Sequence, residues 1–208
     1  MQPAELTATN NAITDEEDLI AASRRGDLHS LNQLVLRYQG IVYNLAYRML
    51  NDPDSAADVA QDVFISAYRA VSGFRGGSFK AWVLRIASNA CYDYLRRKQR
   101  RPAASLESMF DCDESPQEFP DGEPGPEEIA LRRELMEHIQ EGLLCLPMEQ
   151  RLVVVLSDVH GLSYEEIAKV ANCSLGTVRS RLSRGRARLR DYLVSKRELL
   201  PSRYRLDV

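Results

Sequence analysis

The chain has no run of 18 apolar residues, so no helix is expected to cross a membrane. Cysteine is scarce. Cys91, Cys112, Cys145 and Cys173 are widely spaced, none forms a CxxC pair, and His29, His138 and His160 lie apart from them in sequence. No metal site is expected from that spacing. Cys91, Cys145 and Cys173 are expected to pack as small hydrophobes. The first residues are polar and acidic rather than basic and then apolar, so no secretory leader is expected and the protein should be cytoplasmic, its thiols reduced. A phosphate loop, a nucleophile elbow and a paired His–Ser arrangement are also missing. The expected protein is not an enzyme: it has no catalytic residue, no cofactor and no small-molecule substrate. Strand-like alternation of useful length is lacking as well, which leaves no room for a receiver or ligand-binding domain.

What the chain does have is charge, unevenly placed. The net charge over 208 residues is −3. Residues 18–101 nevertheless carry 13 bases against 7 acids, and residues 129–208 carry 14 bases against 10 acids. Between them, residues 102–128 hold nine acids and no base. Two basic blocks around an acidic one point to nucleic acid more than the total does.

The segment 102–126 holds five prolines and two glycines, and its like charges repel. It reads as an acidic, Pro-rich flexible linker between two small domains. The rest reads as helix. The expected organisation is all-α: a disordered tail at 1–15, a helical domain at 16–101, the linker at 102–126, a second helical domain at 127–194 and a short tail at 195–208. Three apolar stripes organise the first domain: Leu31, Leu34, Tyr38, Val42, Leu45, Met49; then Ala56, Val59, Val63, Phe64, Ala67, Val71; then Phe79, Trp82, Ile86, Ala90, Tyr94. A short helix around 16–25 precedes them. In the second domain, helices are expected at 129–144 and 149–158, followed by a pair around 163–171 and 174–192.

That last pair is the most specific constellation. Ser163 and Glu166 form a capping box, Asn172-Cys173 interrupts, and Ser174 caps a longer helix. A short helix, a tight turn and a longer helix make a helix-turn-helix. The longer helix carries Arg179, Arg181, Arg184, Arg186, Arg188 and Arg190, which must face solvent or an anion. A recognition helix reads base edges near its start and holds phosphates beyond it. Ser174, Thr177, Arg179, Ser180, Ser183, Arg184 and Arg186 suit that work. In the first domain, Arg96-Arg97-Lys98-Gln99-Arg100-Arg101 exceeds what a helix end needs. Upstream on the same helix, Arg85, Ser88, Asn89 and Tyr92 can pair with or stack on an unstacked base, although Trp82 and Tyr92 are expected in the core.

Residues 52–101 (DPDSAADVAQDVFISAYRAVSGFRGGSFKAWVLRIASNACYDYLRRKQRR) resemble the second region of bacterial sigma factors. Residues 146–193 (LPMEQRLVVVLSDVHGLSYEEIAKVANCSLGTVRSRLSRGRARLRDYL) resemble their fourth region. The spacing is similar to that of the extracytoplasmic-function (ECF) group. The resemblance implies binding to bacterial core RNA polymerase, at the clamp helices of its largest subunit and at the beta flap. Asp58, Gln61, Asp62, Val63 and Phe64 fall on the clamp-helix motif, with Phe64 expected to be core. It implies capture of melted minus-ten promoter DNA by Phe79, Lys80, Arg85, Ser88, Asn89, Arg96 and Arg97, and reading of the minus-thirty-five duplex by the helix from Ser174. An anti-sigma factor is a further implied partner, and no direct membrane insertion is. The acidic segment would thread the RNA path of polymerase or serve as a plain tether. The competing reading is a free-standing helix-turn-helix regulator that binds operator DNA without polymerase.

Overall fold

Aspartates set the first long helices. Asp27 accepts backbone hydrogen bonds from His29 and Ser30 and so starts α2 (Leu28–Leu50); Asp52 does the same through Ser55 for α3 (Pro53–Ala70), which has proline in its first turn. Between these helices Asn51 takes the left-handed conformation at φ 55°, which closes α2 in a single residue. The computed structural model describes residues 16–100 and 126–196. The expectations for 1–15, for the linker up to residue 125 and for the tail beyond 196 lie outside the described residues.

A short α1 (Glu16–Arg24) is tied to α2 where Glu16 accepts from Tyr38 Oη at 2.7 Å and pairs with Arg37 at 3.3 Å. The helix α4 (Phe79–Arg100) completes the first domain by packing on both α2 and α3. The two glycines before it, Gly76 and Gly77, sit at φ of 92° and 90°, a region that a side chain would strain. The first stripe is buried as expected save half-buried Leu31, and the second save half-buried Phe64.

The third stripe is displaced. The buried face of α4 is Phe79, Val83, Leu84, Ala87, Ser88 and Cys91, while Trp82, Ile86, Ala90 and Tyr94 are only half-buried. The cause is a neighbour that periodicity does not reveal: α4 also packs on the second domain, so it is apolar on more than one side.

The second domain contains α5 (Pro126–Leu144), α6 (Met148–Val154) with a π turn at Val155–Val159, α7 (Tyr164–Val170) and α8 (Leu175–Ser195). The expected helix 149–158 is thus an α segment that widens into a π turn. Its core is Leu143, Leu146, the run Leu152–Leu156, Ile167, Val170, Val178 and Leu182. That core is continuous with the core of the first domain. Cys91 is buried and its thiol is pushed up to about 12 by burial; Cys173 is half-buried; Cys145 is exposed, so it does not pack as expected. Among the described residues no helix is long and apolar enough to cross a membrane.

Candidate nucleic-acid interface

The local sequence builds the helix-turn-helix through its caps. Ser163 Oγ accepts from the Glu166 N–H at 3.3 Å while the Glu166 carboxylate accepts from the Ser163 N–H at 2.9 Å. These bonds hold the Glu166 carboxyl below its ordinary range. Asn172 takes a left-handed conformation at φ 47° in the turn, and Ser174 Oγ then accepts from the Thr177 N–H at 3.1 Å to start α8. Val178, Leu182 and Gly185 turn inward. With 3.6 residues per turn, the arginines fall into two rows on either side of the outermost face. Arg179, Arg186 and Arg190 with Ser183 form one row, Arg181, Arg184 and Arg188 the other.

The first row lines a cleft of about 580 Å³ together with Tyr164, Leu182 and Ala187. Arg186 is fixed there: it donates to both Asp158 carboxylate oxygens, at 2.5 and 3.0 Å, and to Ser157 Oγ at 3.1 Å. The pairing with Asp158 raises its pKa further above the ordinary range. The sequence reading missed Asp158 as a partner because the two residues lie 28 positions apart. Arg179, Ser183 and Arg184 are exposed; Arg184 folds back on Ser180. The hydroxyls of Ser174 and Thr177 bond to each other at 2.9 Å at the start of the helix.

In the first domain the expected minus-ten residues separate. Arg85, Asn89, Arg96 and Arg97 are exposed along α4. Ser88 is not: it is 1% exposed and donates to the Leu84 carbonyl at 2.7 Å, which removes it from the set that reaches DNA. Phe79 is likewise buried, its ring 5.3 Å from that of Tyr38, 5.6 Å from Phe74 and 5.2 Å from Trp82. It shapes the loop before α4 rather than facing solvent. Trp82 belongs to the same aromatic cluster. Lys80 donates to the His160 carbonyl of the second domain at 2.6 Å. Tyr92 is half-buried near Glu149 and Arg181, and burial pushes its hydroxyl up to about 12.

On α3, Asp58, Gln61 and Asp62 share one exposed face. Val63 faces the core and is fully buried, so it touches no partner directly. Two residues not singled out from the sequence complete the face. Ile65 is 42% and Tyr68 is 52% exposed, apolar surface at helical spacing beside the carboxylates. Among the described residues no cluster of His, Cys, Asp and Glu is arranged for a metal ion.

Over the described residues these features define a two-domain helical protein that presents one arginine-rich helix, one basic helix end and one separate amphipathic face. Comparison with known proteins narrows the class. Residues 34–101 match sigma-70 region 2, and residues 136–189 match sigma-70 region 4. The chain is 39% identical over 183 residues to the RNA polymerase sigma-H factor of Pseudomonas aeruginosa, covering 84% of this chain and 92% of that one. It is 40% identical over 173 residues to the ECF RNA polymerase sigma factor SigE of Mycolicibacterium smegmatis, covering 83% of this chain and 65% of that longer relative. Among solved structures, CnrH in complex with the cytosolic domain of CnrY superposes with a TM-score of 0.63 at 28% identity, covering 86% of this chain and 97% of that one. RpoE of Bartonella quintana, solved with the anti-sigma factor NepR, gives 0.61 at 26%, covering 78% and 95%. The chain belongs to the sigma-70 family of RNA polymerase sigma factors, in its ECF group.

Proposed function

We propose that this sigma factor binds core RNA polymerase through the exposed α3 face, with Asp58, Gln61, Asp62, Ile65 and Tyr68 as its contact residues, and places two readers on promoter DNA. The helix α8 reads the minus-thirty-five duplex from the major groove through Thr177, Arg179, Ser180 and Ser183, while Arg184, Arg186 and Arg190 hold phosphates. The exposed side of α4 traps the melted minus-ten strand, with Asn89 and Arg85 at the base and Arg96 and Arg97 on the backbone. Lys80 joins them once freed from His160. Unstacking a base costs a few kcal/mol, which base-specific contacts in α4 and the preceding loop must offset. The observation that carries this reading is the presence on one chain of two exposed basic helices of different chemistry: arginines in two rows on α8, and an amide beside arginines on α4.

The phosphoryl-transfer chemistry belongs to polymerase; this subunit supplies recognition and works in the cytoplasm. Residues 102–126 tether domains 16–101 and 127–194. A protein inhibitor of the anti-sigma class is a further partner in this reading; the Bartonella relative was solved with one, NepR.

Run-off transcription with bacterial core polymerase and upstream fragments of the source genome tests this. Initiation should require both protein and polymerase. Asn89→Ala should lower it at least tenfold on duplex templates but much less on templates already melted at the minus-ten element. Arg179→Ala should lower it at least tenfold on both. Tight duplex binding by the free chain, with no initiation on any fragment, would put the free-standing regulator in its place.

A further inference from the structure

In the cleft row of α8, Arg186 is the one arginine that is bonded to a different element among the described residues; Arg190 pairs with its chain neighbour Asp191 at 3.2 Å. Arg186 Nε donates to Asp158 Oδ2 at 3.0 Å, and Nη2 donates to Asp158 Oδ1 at 2.5 Å and to Ser157 Oγ at 3.1 Å. An arginine side chain has five N–H donors in a planar fork. These bonds use the Nε hydrogen and both Nη2 hydrogens. The two hydrogens of Nη1 lie outside the set, on the side of the fork away from Asp158. Tyr164, which also lines the cleft, stands near the same guanidinium and adds to the rise in its pKa.

Stability does not account for this arrangement. The Arg186 and Asp158 side chains are 48% and 39% exposed, and an ion pair so open to water adds little to folding. The packing of α8 is secured from beneath, where Val178, Leu182 and Gly185 turn inward. What the bonds do provide is a fixed position for a long side chain, so that its freedom is given up before a ligand arrives.

The backbone delivers both acceptors. Val155–Val159 form a π turn in which Val155 and Leu156 are buried, Ser157 is half-buried and Asp158 is exposed. The His160 N–H donates to the Val155 carbonyl and the Gly161 N–H to the Ser157 carbonyl, each at 3.1 Å. Such turns are rare and occur frequently at functional sites. The sign of the charge is equally telling. A carboxylate beside a DNA-reading helix repels phosphates, so its presence opposes binding unless it does something that outweighs the repulsion.

We infer that Asp158, assisted by Ser157, is a positioning residue for promoter binding: it holds Arg186 so that the Nη1 edge is already presented to one phosphate of the minus-thirty-five duplex. The inference rests on the promoter-subunit reading above.

The test uses the full chain assembled with bacterial core polymerase, and a promoter fragment on which the wild type initiates. Affinity is measured over a series of salt concentrations, because the slope of log affinity against log salt counts neutralised phosphates, at about 0.9 for each. Asp158→Ala should weaken binding about fivefold, although it removes a repelling charge, and should make the slope shallower by about 0.9. Asp158→Asn, which keeps one accepting oxygen, should fall between Asp158→Ala and wild type. In an Arg186→Ala background, Asp158→Ala should bring no further loss. In the free chain the Arg186 Nε–H proton, assigned by its absence from Arg186→Ala, should exchange with water slowly in wild type and quickly in Asp158→Ala, with the same helix content by circular dichroism. Unchanged or tighter promoter binding by Asp158→Ala overturns the inference. So does an equal loss in the Arg186→Ala background, which would give Asp158 a role of its own. If Asp158→Ala loses helix content, Asp158→Asn decides by the same criteria. A wild-type chain that supports no initiation on any fragment overturns the promoter-subunit reading instead, and the Arg186 proton still decides whether Asp158 holds the arginine.

Discussion

Replacing Gly185 with valine is expected to abolish minus-thirty-five-dependent initiation while leaving most of the protein folded. Gly185 lies mid-way along α8, where the helix packs against α6. A Cβ there would stand 2.8 Å from Val154 Cγ2 and 3.5 Å from both Gln150 Cβ and the Gln150 backbone oxygen. Val154 is itself buried, with no room to retreat, so α8 must move outward. Overpacking of this kind costs about 1–3 kcal/mol. The larger effect is on function, since a displaced recognition helix carries Arg179 and Ser183 out of register with the groove. Duplex affinity at the minus-thirty-five element should fall at least tenfold, with Gly185→Ala intermediate. Gly142 makes the contrast. Its Cβ would meet Leu189 Cδ1 at 2.6 Å and the Tyr192 ring at 2.9 Å, both side-chain atoms on a half-buried surface that can swing aside. Gly142→Ala should therefore be milder. A Gly185→Val protein that binds and initiates like wild type would show that α8 is not held by α6.

Acid should loosen the closed chain through His160, the second large effect. The ring is 7% exposed, its Nε2 has no hydrogen-bond partner, and its pKa is pushed down to about 4, chiefly by burial and then by Lys80 on α4 and Arg48 on α2. The Glu166 carboxylate on α7 lies near Lys80 and tempers that charge without bonding the ring. The folded value is depressed below the ordinary 6.5, so the neutral ring contributes its full stability above about pH 6.5 and that stability is lost as pH falls toward 4. At 1.36 kcal/mol per unit, the loss approaches about 3 kcal/mol. Urea unfolding at pH 7 and 4.5 should show wild type losing about 2–3 kcal/mol more than His160→Met, whose side chain fills the site without titrating. Equal losses in the two proteins would mean that His160 protonates freely while the chain stays folded.

Much of this architecture can be read from local sequence, because local physics decides it. The helix starts at Ser163 and Ser174 and the inward face of α2 follow from capping chemistry and a 3.6-residue period. The recognition helix is equally legible, since six arginines on one helix leave little choice of face. What escaped was set across the chain. The stripe on α4 is displaced because α7 packs on its other side, and no period reports which partner a helix will meet. Ser88 looks like a base reader in sequence and is instead bonded to its own helix. Ile65 and Tyr68 read as ordinary apolar positions, and only folding shows that they stay exposed among the described residues. The bond from Lys80 to His160 gives no sequence signal at all, because its acceptor is a backbone carbonyl, which every residue has.

The single apolar cluster running from Leu19 on α1 to Leu182 on α8 makes the two halves of the chain one cooperative unit while they are docked. Local opening in either half then carries part of the cost of opening the other. A ligand that grips only the second domain in its closed form should slow amide hydrogen exchange in α2 and α4, residues that it never touches. By the same reciprocity, a partner that prises α2 away from the second domain should quicken exchange around α5 and α6. Through their shared core, each of these halves monitors what is bound to the other.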